Sequence, residues 1–383
     1  MVLGNVYRMS LLNGDGGNAK KGAAIFGVTV AFLMSAYSVF SLVYIMQELS
    51  ARFHVTLGIV SVAATLSFFG GALGGAILGR FADISGRKPA LLLSAVIFSA
   101  ATVLASQARS IDELYACWLM VGFGANAENG ISYAVIVELL KGSRGIVGGA
   151  IQGLYFIGMM LDVLTLLFIG YWRTYMLAVG AISLVVSVAG ILMIPETVNV
   201  KSEKHELREI FRGKLLPVTA LGTLIVAAAF MYTIPVATLI PSVLRSGNLL
   251  VLDAVGFISF TVAGYVSDKI RRMKSIMAFA AVGILSSIIA IIFGIGIGQA
   301  VLLYVGTGYF AFVGIMMSEL YPIRLRGTGS NFAFLTGRIM GGLGPSIVAI
   351  AFAGELQAGI GTFALGSSCL ALASAILLMK YSA

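Results

Sequence analysis

Charged side chains are scarce in this sequence: they make up 11% of 383 residues, where a soluble domain carries roughly 25%. With 59% hydrophobic residues and a mean hydropathy of +1.01, that deficit excludes a soluble globular domain. Cysteine is down to two, Cys117 and Cys369, both inside apolar runs and without a CxxC spacing. They give no redox or metal signal and read as small apolar helix residues. Histidine is also down to two, His54 and His205, both in loops, which leaves little material for a zinc site or histidine-based catalysis. Glycine is plentiful, with 47 residues, yet the phosphate-cradling pattern GxxxxGK(S/T) is missing, so ATP-driven transport has no local support. No strand precedes the glycine-rich stretches, which excludes a dinucleotide-binding fold. No cofactor or metal is implied. No span pairs a nucleophile with a base, so the chain does not read as an enzyme.

What the sequence does have is long apolar runs. Several exceed the ~18 nearly uncharged residues that mark a bilayer-spanning helix. Their apolar residues run all round the helix rather than down one stripe. Hydrocarbon admits only helices or closed barrels, and runs of this length without strict alternation mean helices. The spacing predicts an all-α membrane protein with twelve spans, near 22–47, 56–79, 89–108, 113–140, 146–169, 174–194, 216–242, 248–267, 275–297, 299–321, 328–353 and 358–379. The first run is too long for a signal-peptide core and reads as a retained span.

The net charge of +9 is a topology signal rather than a nucleic-acid signal. With the N-terminus inside, 20 of the 25 lysines and arginines fall in cytoplasmic segments. Four (Arg52, Arg109, Arg173 and Arg245) fall outside, and Arg338 lies within a span. Both termini are then cytoplasmic in a multi-pass plasma-membrane protein, with anionic inner-leaflet lipid as a further attraction.

The longest polar stretch, Pro195 to Lys214, divides the chain into an N-terminal six-helix bundle (1–194), a cytoplasmic linker (195–215) and a C-terminal six-helix bundle (216–383). The linker's SEKHELREIFRGK spaces its charges as a surface helix does. The halves also repeat. Gly79 and Asp83 recur 185 positions later as Gly264 and Asp268, Glu138 recurs after 181 as Glu319, and Arg144 after 182 as Arg326. A near-constant offset across separate motifs marks an internal duplication.

These motifs resemble the major facilitator superfamily, and the resemblance covers nearly the whole chain. GRFADISGRK matches the family's loop between spans two and three, with a degraded copy, GYVSDKIRR, in the second half. GFGANAENG in span four, the glutamate before Arg144-Gly145, YWR, PET and ELYPIRLRGTG agree with it. SRGIVGGAIQGLYFIG and the glutamate of GFGANAENG look most like proton-coupled organic-acid symporters, the sialate/lactate and aromatic-acid groups. Those relatives often carry aspartates in span one, where this chain has FLMSAYSVF, with Ser35 and Ser38 in their places.

Ionisable residues inside hydrocarbon are costly, about 2.5–3.5 kcal/mol each on insertion scales, and mark function by default. Glu128, Asp162 and Arg338 stand out. At 1.5 Å per residue, Glu128 lies ~18 Å and Arg338 ~15 Å from the cytoplasmic ends of their spans. Both are therefore near the midplane and in opposite halves, where such carriers place substrate and coupling sites. Glu128 is expected to bind the coupling proton and Arg338 a substrate carboxylate. A substrate that engages Arg338 would release Glu128 to take up a proton. The bland alternative is a structural ion pair between them. Asp162 reads as an accessory proton site or as a lone buried acid kept neutral. Tyr37, Asn126, Tyr133, Gln152, Tyr155, Tyr232 and Asn331 are candidates to line the cavity. Asp83, Arg87, Glu138, Arg144, Asp268, Arg272, Glu319 and Arg326 fall at cytoplasmic helix ends, where ion pairs can lock the inner mouth. For Asp83 and Arg87 the resemblance implies that gating role.

The expectation is a monomeric secondary carrier working by alternating access, a proton-coupled symporter of a small organic anion. The alternatives are a sugar or other neutral-metabolite carrier of the same superfamily, to which ELYPIRLRG is also suited, or a non-transporting, transporter-like sensor.

Overall fold

The computed structural model describes residues 15–139, 144–194, 207–213, 215–244, 246–322 and 325–381. Apolar runs withdrawn from water must satisfy their own backbone, and helices form. Twelve long helices follow one another in the described chain, without a strand among them. They are α1 (Gly22–Phe53), α2 (Leu57–Ser85), α3 (Arg87–Ala105), α4 (Ile111–Leu139), α5 (Arg144–Phe168) and α6 (Trp172–Leu192). The second six are α7 (Leu215–Ser242), α8 (Leu249–Lys269), α9 (Arg272–Phe293), α10 (Ile297–Leu320), α11 (Arg326–Ala351) and α12 (Leu356–Met379). Eleven are long and apolar enough to cross a membrane. The exception, α4, is as long as α2 but carries Asn126, Glu128 and Asn129 in its body.

The twelve expected spans are all present. α1 and α2 run on past positions 47 and 79, where the sequence turns polar at Glu48, Arg52, Arg80 and Asp83. A helix needs an apolar surface only while it is in hydrocarbon. Four helices are irregular. α1 tightens to a 3₁₀ turn at Ser41–Ile45 and α10 at Thr307–Phe312, α7 contains Pro235, and α11 breaks between Gly342 and Gly344.

Local chemistry sets the turns. Thr56 caps α2, its side chain accepting from the Ile59 amide at 3.3 Å. α2 and α3 are joined through Gly86 alone, at φ 102°, a conformation that penalises any side chain. Successive helices alternate in direction. The α2–α3 and α8–α9 turns therefore share one end, called here the basic end because Arg80, Arg87, Lys88, Lys269, Arg271, Arg272 and Lys274 cluster there.

Packing relies on backbone contact. A Cβ on Gly74 would stand 1.9 Å from the Phe123 carbonyl oxygen, and one on Gly122 1.8 Å from that of Ser67, so α2 and α4 touch main chain to main chain. The most extensive contacts within the first six helices are α2–α4, α3–α4, α3–α6 and α1–α6; within the last six they are α7–α12, α7–α11 and α9–α12. Between the two bundles, α5 lies along α8, and α2 along α11. Of the segment before α7, residues 207–213 are described: Ile210 is buried and its carbonyl accepts from Thr219 at 2.5 Å.

Candidate functional site

The bundles enclose a cavity with about 50 Å³ of free space, enough for a few waters. Eight helices contribute to its wall; α3, α6, α9 and α12 do not. Seven phenylalanines dominate it: Phe40, Phe68, Phe156, Phe230, Phe260, Phe310 and Phe334. Several of their rings pair across the helices, edge to face for Phe230–Phe310 at 4.7 Å and Phe156–Phe260 at 5.0 Å between centroids, and stacked for Phe260–Phe310. The polar exceptions are Asn126, Gln152, Tyr155, Thr233 and Arg338. Among the described lining residues, Arg338 alone carries charge.

Arg338 extends from α11 towards α2, with Nη1 3.5 Å from the Gly71 carbonyl and Nε buried without a hydrogen-bond partner. Among the described residues, the ionisable group on the same stretch of cavity wall is Tyr155. Tyr155 also feels Glu128 and accepts from Asn129 Nδ2 at 2.8 Å through its hydroxyl. Asn129 Oδ1 in turn accepts from Ser35 Oγ at 2.5 Å. A hydrogen-bonded chain therefore runs from Ser35 of α1 through Asn129 of α4 to Tyr155 of α5, which shares the cavity wall with the arginine of α11.

Glu128 lies beside that chain, wholly buried. Its Oε1 accepts from Ser132 Oγ, and its Oε2 has no hydrogen-bond partner. Ser35 stands next to it. No ion pair joins Glu128 to Arg338 among the described residues, and Tyr155 stands within reach of both. The arrangement holds an unpaired acid and an unpaired base in one buried network.

The structure thus brings Glu128, Asn126, Gln152, Tyr155 and Arg338 to one place. It puts Tyr37 and Asp162 elsewhere: Tyr37 bonds Thr165 at 2.6 Å and Asp162 accepts from Tyr175 at 2.6 Å. Tyr232 is fully buried between α7, α9 and α10, bonding Ser286 and the Leu303 carbonyl at 3.1 Å each. Asn331 is exposed on α11 and lies outside the cavity wall. The side chains of Tyr133, Glu138 and Arg144 lie outside the described residues. Sequence reasoning missed Asn129, Thr233 and the phenylalanines. Asn129 follows Glu128 by one residue and was legible in principle; aromatic side chains are too common in spans to single out.

At the basic end, Asp268 accepts from the Gly145 and Ile146 amides at 3.0 and 3.1 Å, placing its charge at the start of α5. Arg272 bridges Asp268 at 2.8 Å and Glu319 at 3.1 Å. One triad therefore ties α8, α9 and α10 to the first bundle. The duplicated counterpart is built differently. Gly145 and Gly264 are in main-chain contact, whereas among the described residues nothing stands within 4 Å of a Cβ on Gly79 or Gly327, which occupy the repeated positions. Arg326 Nε is buried with no hydrogen-bond partner. Asp83 and Arg87 sit beside the α2–α3 turn.

A family model described as Major Facilitator Superfamily matches residues 26–345. The chain is 22% identical to the sialic acid transporter NanX of Escherichia coli over 375 residues, covering 90% of this chain and 91% of that protein. It is 24% identical to a probable 4-methylmuconolactone transporter of Cupriavidus pinatubonensis, covering 85% and 82%. A putative metabolite transport protein of Haemophilus influenzae is 22% identical, covering 85% and 88%.

Proposed function

The chain belongs to the Major Facilitator Superfamily, a family of membrane transporters and not of enzymes, and on that premise we propose that it is a proton-coupled symporter of a small organic anion. The observation that carries this reading is Arg338, a lone cation in an otherwise uncharged, phenylalanine-lined cavity. A guanidinium held out of water needs an anion, and a carboxylate meets it with two parallel hydrogen bonds. The phenylalanines suit the apolar body of such an anion. A sugar needs many hydrogen-bond partners, and the wall offers four neutral polar side chains. The two relatives named for a substrate, sialic acid and 4-methylmuconolactone, are named for an organic acid and a lactone.

Glu128 is the proton carrier in this account. An ionised carboxylate without a cation is too costly in such a place, so it holds a proton while the cavity is closed. Substrate bound at Arg338 removes the arginine's field from Tyr155 and, through it, from Glu128, so proton and anion load together. The bundles 1–194 and 216–383 then rock about the site, with 195–215 as their tether. The present cavity is too small for a metabolite, so loading requires the bundles to part. In a plasma membrane the basic end faces the cytoplasm.

Thermal-shift screening of the purified protein against mono- and dicarboxylates, amino acids and sugars, at two pH values, tests the reading. Stabilisation by an apolar carboxylate, stronger at the lower pH and absent in Arg338→Gln, is expected. A response to sugars alone, independent of pH, overturns it.

A further inference from the structure

A second buried acidic cluster lies nearer the end opposite the basic end, apart from the Arg338 cavity. Asp162 on α5 is 0% exposed and Asp253 on α8 is 1% exposed. Asp162 Oδ1 accepts from Tyr175 of α6 at 2.6 Å, and its Oδ2 has no hydrogen-bond partner. Asp253 Oδ2 accepts from Tyr44 of α1 at 3.0 Å. The Tyr175 hydroxyl that bonds Asp162 also approaches the Ser41 carbonyl at 3.3 Å, three residues before Tyr44, so both acids gather around one stretch of α1. The other titratable groups facing them are all phenols: Tyr37 and Tyr44 from α1, Tyr175 from α6 and Tyr304 from α10. The buried Tyr304 hydroxyl is itself unpartnered. Among the described residues, no lysine, arginine or histidine pairs with either acid.

The cluster also spans the boundary between the bundles. Tyr44 belongs to the first and Asp253 to the second, and the hydrogen bond between them is one of several cross-links at this end among the described residues. Another runs from Gln47 Nε2 on α1 to the Ser242 carbonyl closing α7, at 2.6 Å. Asp253 is therefore covered on its α1 side by a residue of the opposite bundle, and Asp162 lies on the same side of the first bundle, facing that boundary.

We propose that Asp162 and Asp253 form a proton-binding latch, in which proton uptake by the two carboxyl groups is required for the bundles to close at this end. When the bundles part, water reaches both acids, their protons pass to it, and the carboxylates are hydrated. When they close, two ionised carboxylates would be buried around one stretch of α1 without water or a cation, an arrangement too costly to persist. Each takes a proton from the water on that side, and the Tyr44 bond re-forms. The closed form holds up to two more protons than the open form, so it gains population as pH falls. The latch acts independently of what binds at Arg338 and of Glu128.

The test uses spin labels at Arg52→Cys and Asn248→Cys, both exposed at this end, with Cys117→Ala and Cys369→Ser removing the native thiols. The full chain is reconstituted in nanodiscs, and label distances are measured by pulsed electron resonance across pH 5 to 9. The short-distance population is expected to dominate at acid pH and to fall as pH rises, by up to about 100-fold in closed-to-open ratio per pH unit for two protons. Asp162→Asn with Asp253→Asn is expected to stay closed throughout. Should that pair not assemble, Asp253→Asn alone is expected to reduce the slope to about tenfold per unit. Glu128→Gln is expected to keep the parent response, which separates this latch from the proposed coupling site. A parent distribution indifferent to pH, a full response surviving in the asparagine variants, or a response to sodium at constant pH in place of protons overturns the proposal.

Discussion

Glu128 is buried and Arg338 part-buried, neither has a counter-ion among the described residues, and Tyr155 stands between them. For Arg338, a bound carboxylate supplies the missing partner. Arg338→Gln is expected to raise the half-saturating substrate concentration 30- to 1,000-fold, about 2–4 kcal/mol of lost charge pairing. The check is uptake kinetics in proteoliposomes. Arg338→Lys keeps the charge but loses the planar fork, and should recover only part of that loss. Tyr155→Phe removes the link between the two charged groups while preserving the ring. Substrate binding should survive it, and the pH dependence of binding should weaken, as read by thermal shift at two pH values. At this scale the sequence was informative about charge and silent about neutral groups. Glu128 and Arg338 stand out because hydrocarbon penalises charge wherever it falls. Tyr37, Tyr232 and Asn331 were equally plausible by type, yet only the folded helix rotation shows that none of them lines the cavity. Ser35, noted for standing where related carriers have aspartate, sits beside Glu128 and bonds Asn129. The position that holds an acid in those carriers thus lies beside the α4 glutamate here.

The helices themselves were legible almost entirely, because apolar length is a direct record of the bilayer. What the apolar pattern could not show is where they bend. Neither 3₁₀ turn, in α1 or in α10, contains proline, so no proline marks them in the sequence. The glycines of GGALGGAILG were legible as packing residues, but their partners were not. Gly74 meets Phe123, and Gly122 meets Ser67. Gly122→Leu should therefore force α2 from α4 at a cost of about 3 kcal/mol or more, seen as a lowered melting temperature or loss of a monodisperse elution peak. Gly79, in the same helix, has open space around it. Gly79→Ala should raise stability by about 0.5–1 kcal/mol, the ordinary gain for replacing glycine within a helix.

Across the whole molecule, the duplication visible in the sequence produces two bundles that are alike in fold and unlike in contact. The α5–α8 seam is closed at the basic end by Gly145 against Gly264, while the repeated positions on α2 and α11, Gly79 and Gly327, stand clear. At the other end α2 and α11 are tied, with Thr65 Oγ1 2.6 Å from the Gly342 carbonyl and 2.6 Å from Ser346 Oγ. In a carrier that rocks, the open seam must close in another state, and small residues at Gly79 and Gly327 permit it. Gly79→Leu is accordingly expected to leave the melting temperature within a few degrees of the parent while slowing turnover at least tenfold, measured as kcat for substrate exchange. The sequence repeat predicts which residues correspond; it holds no record of which copy is engaged in a given state.

Coupling through Glu128 is tested most directly in proteoliposomes under an imposed pH gradient, acid outside. The parent should accumulate the organic anion above its external concentration. Glu128→Gln should still exchange labelled for unlabelled substrate yet lose that accumulation. If Glu128→Gln concentrates the substrate as the parent does, the proton does not travel on Glu128 and the coupling account is wrong.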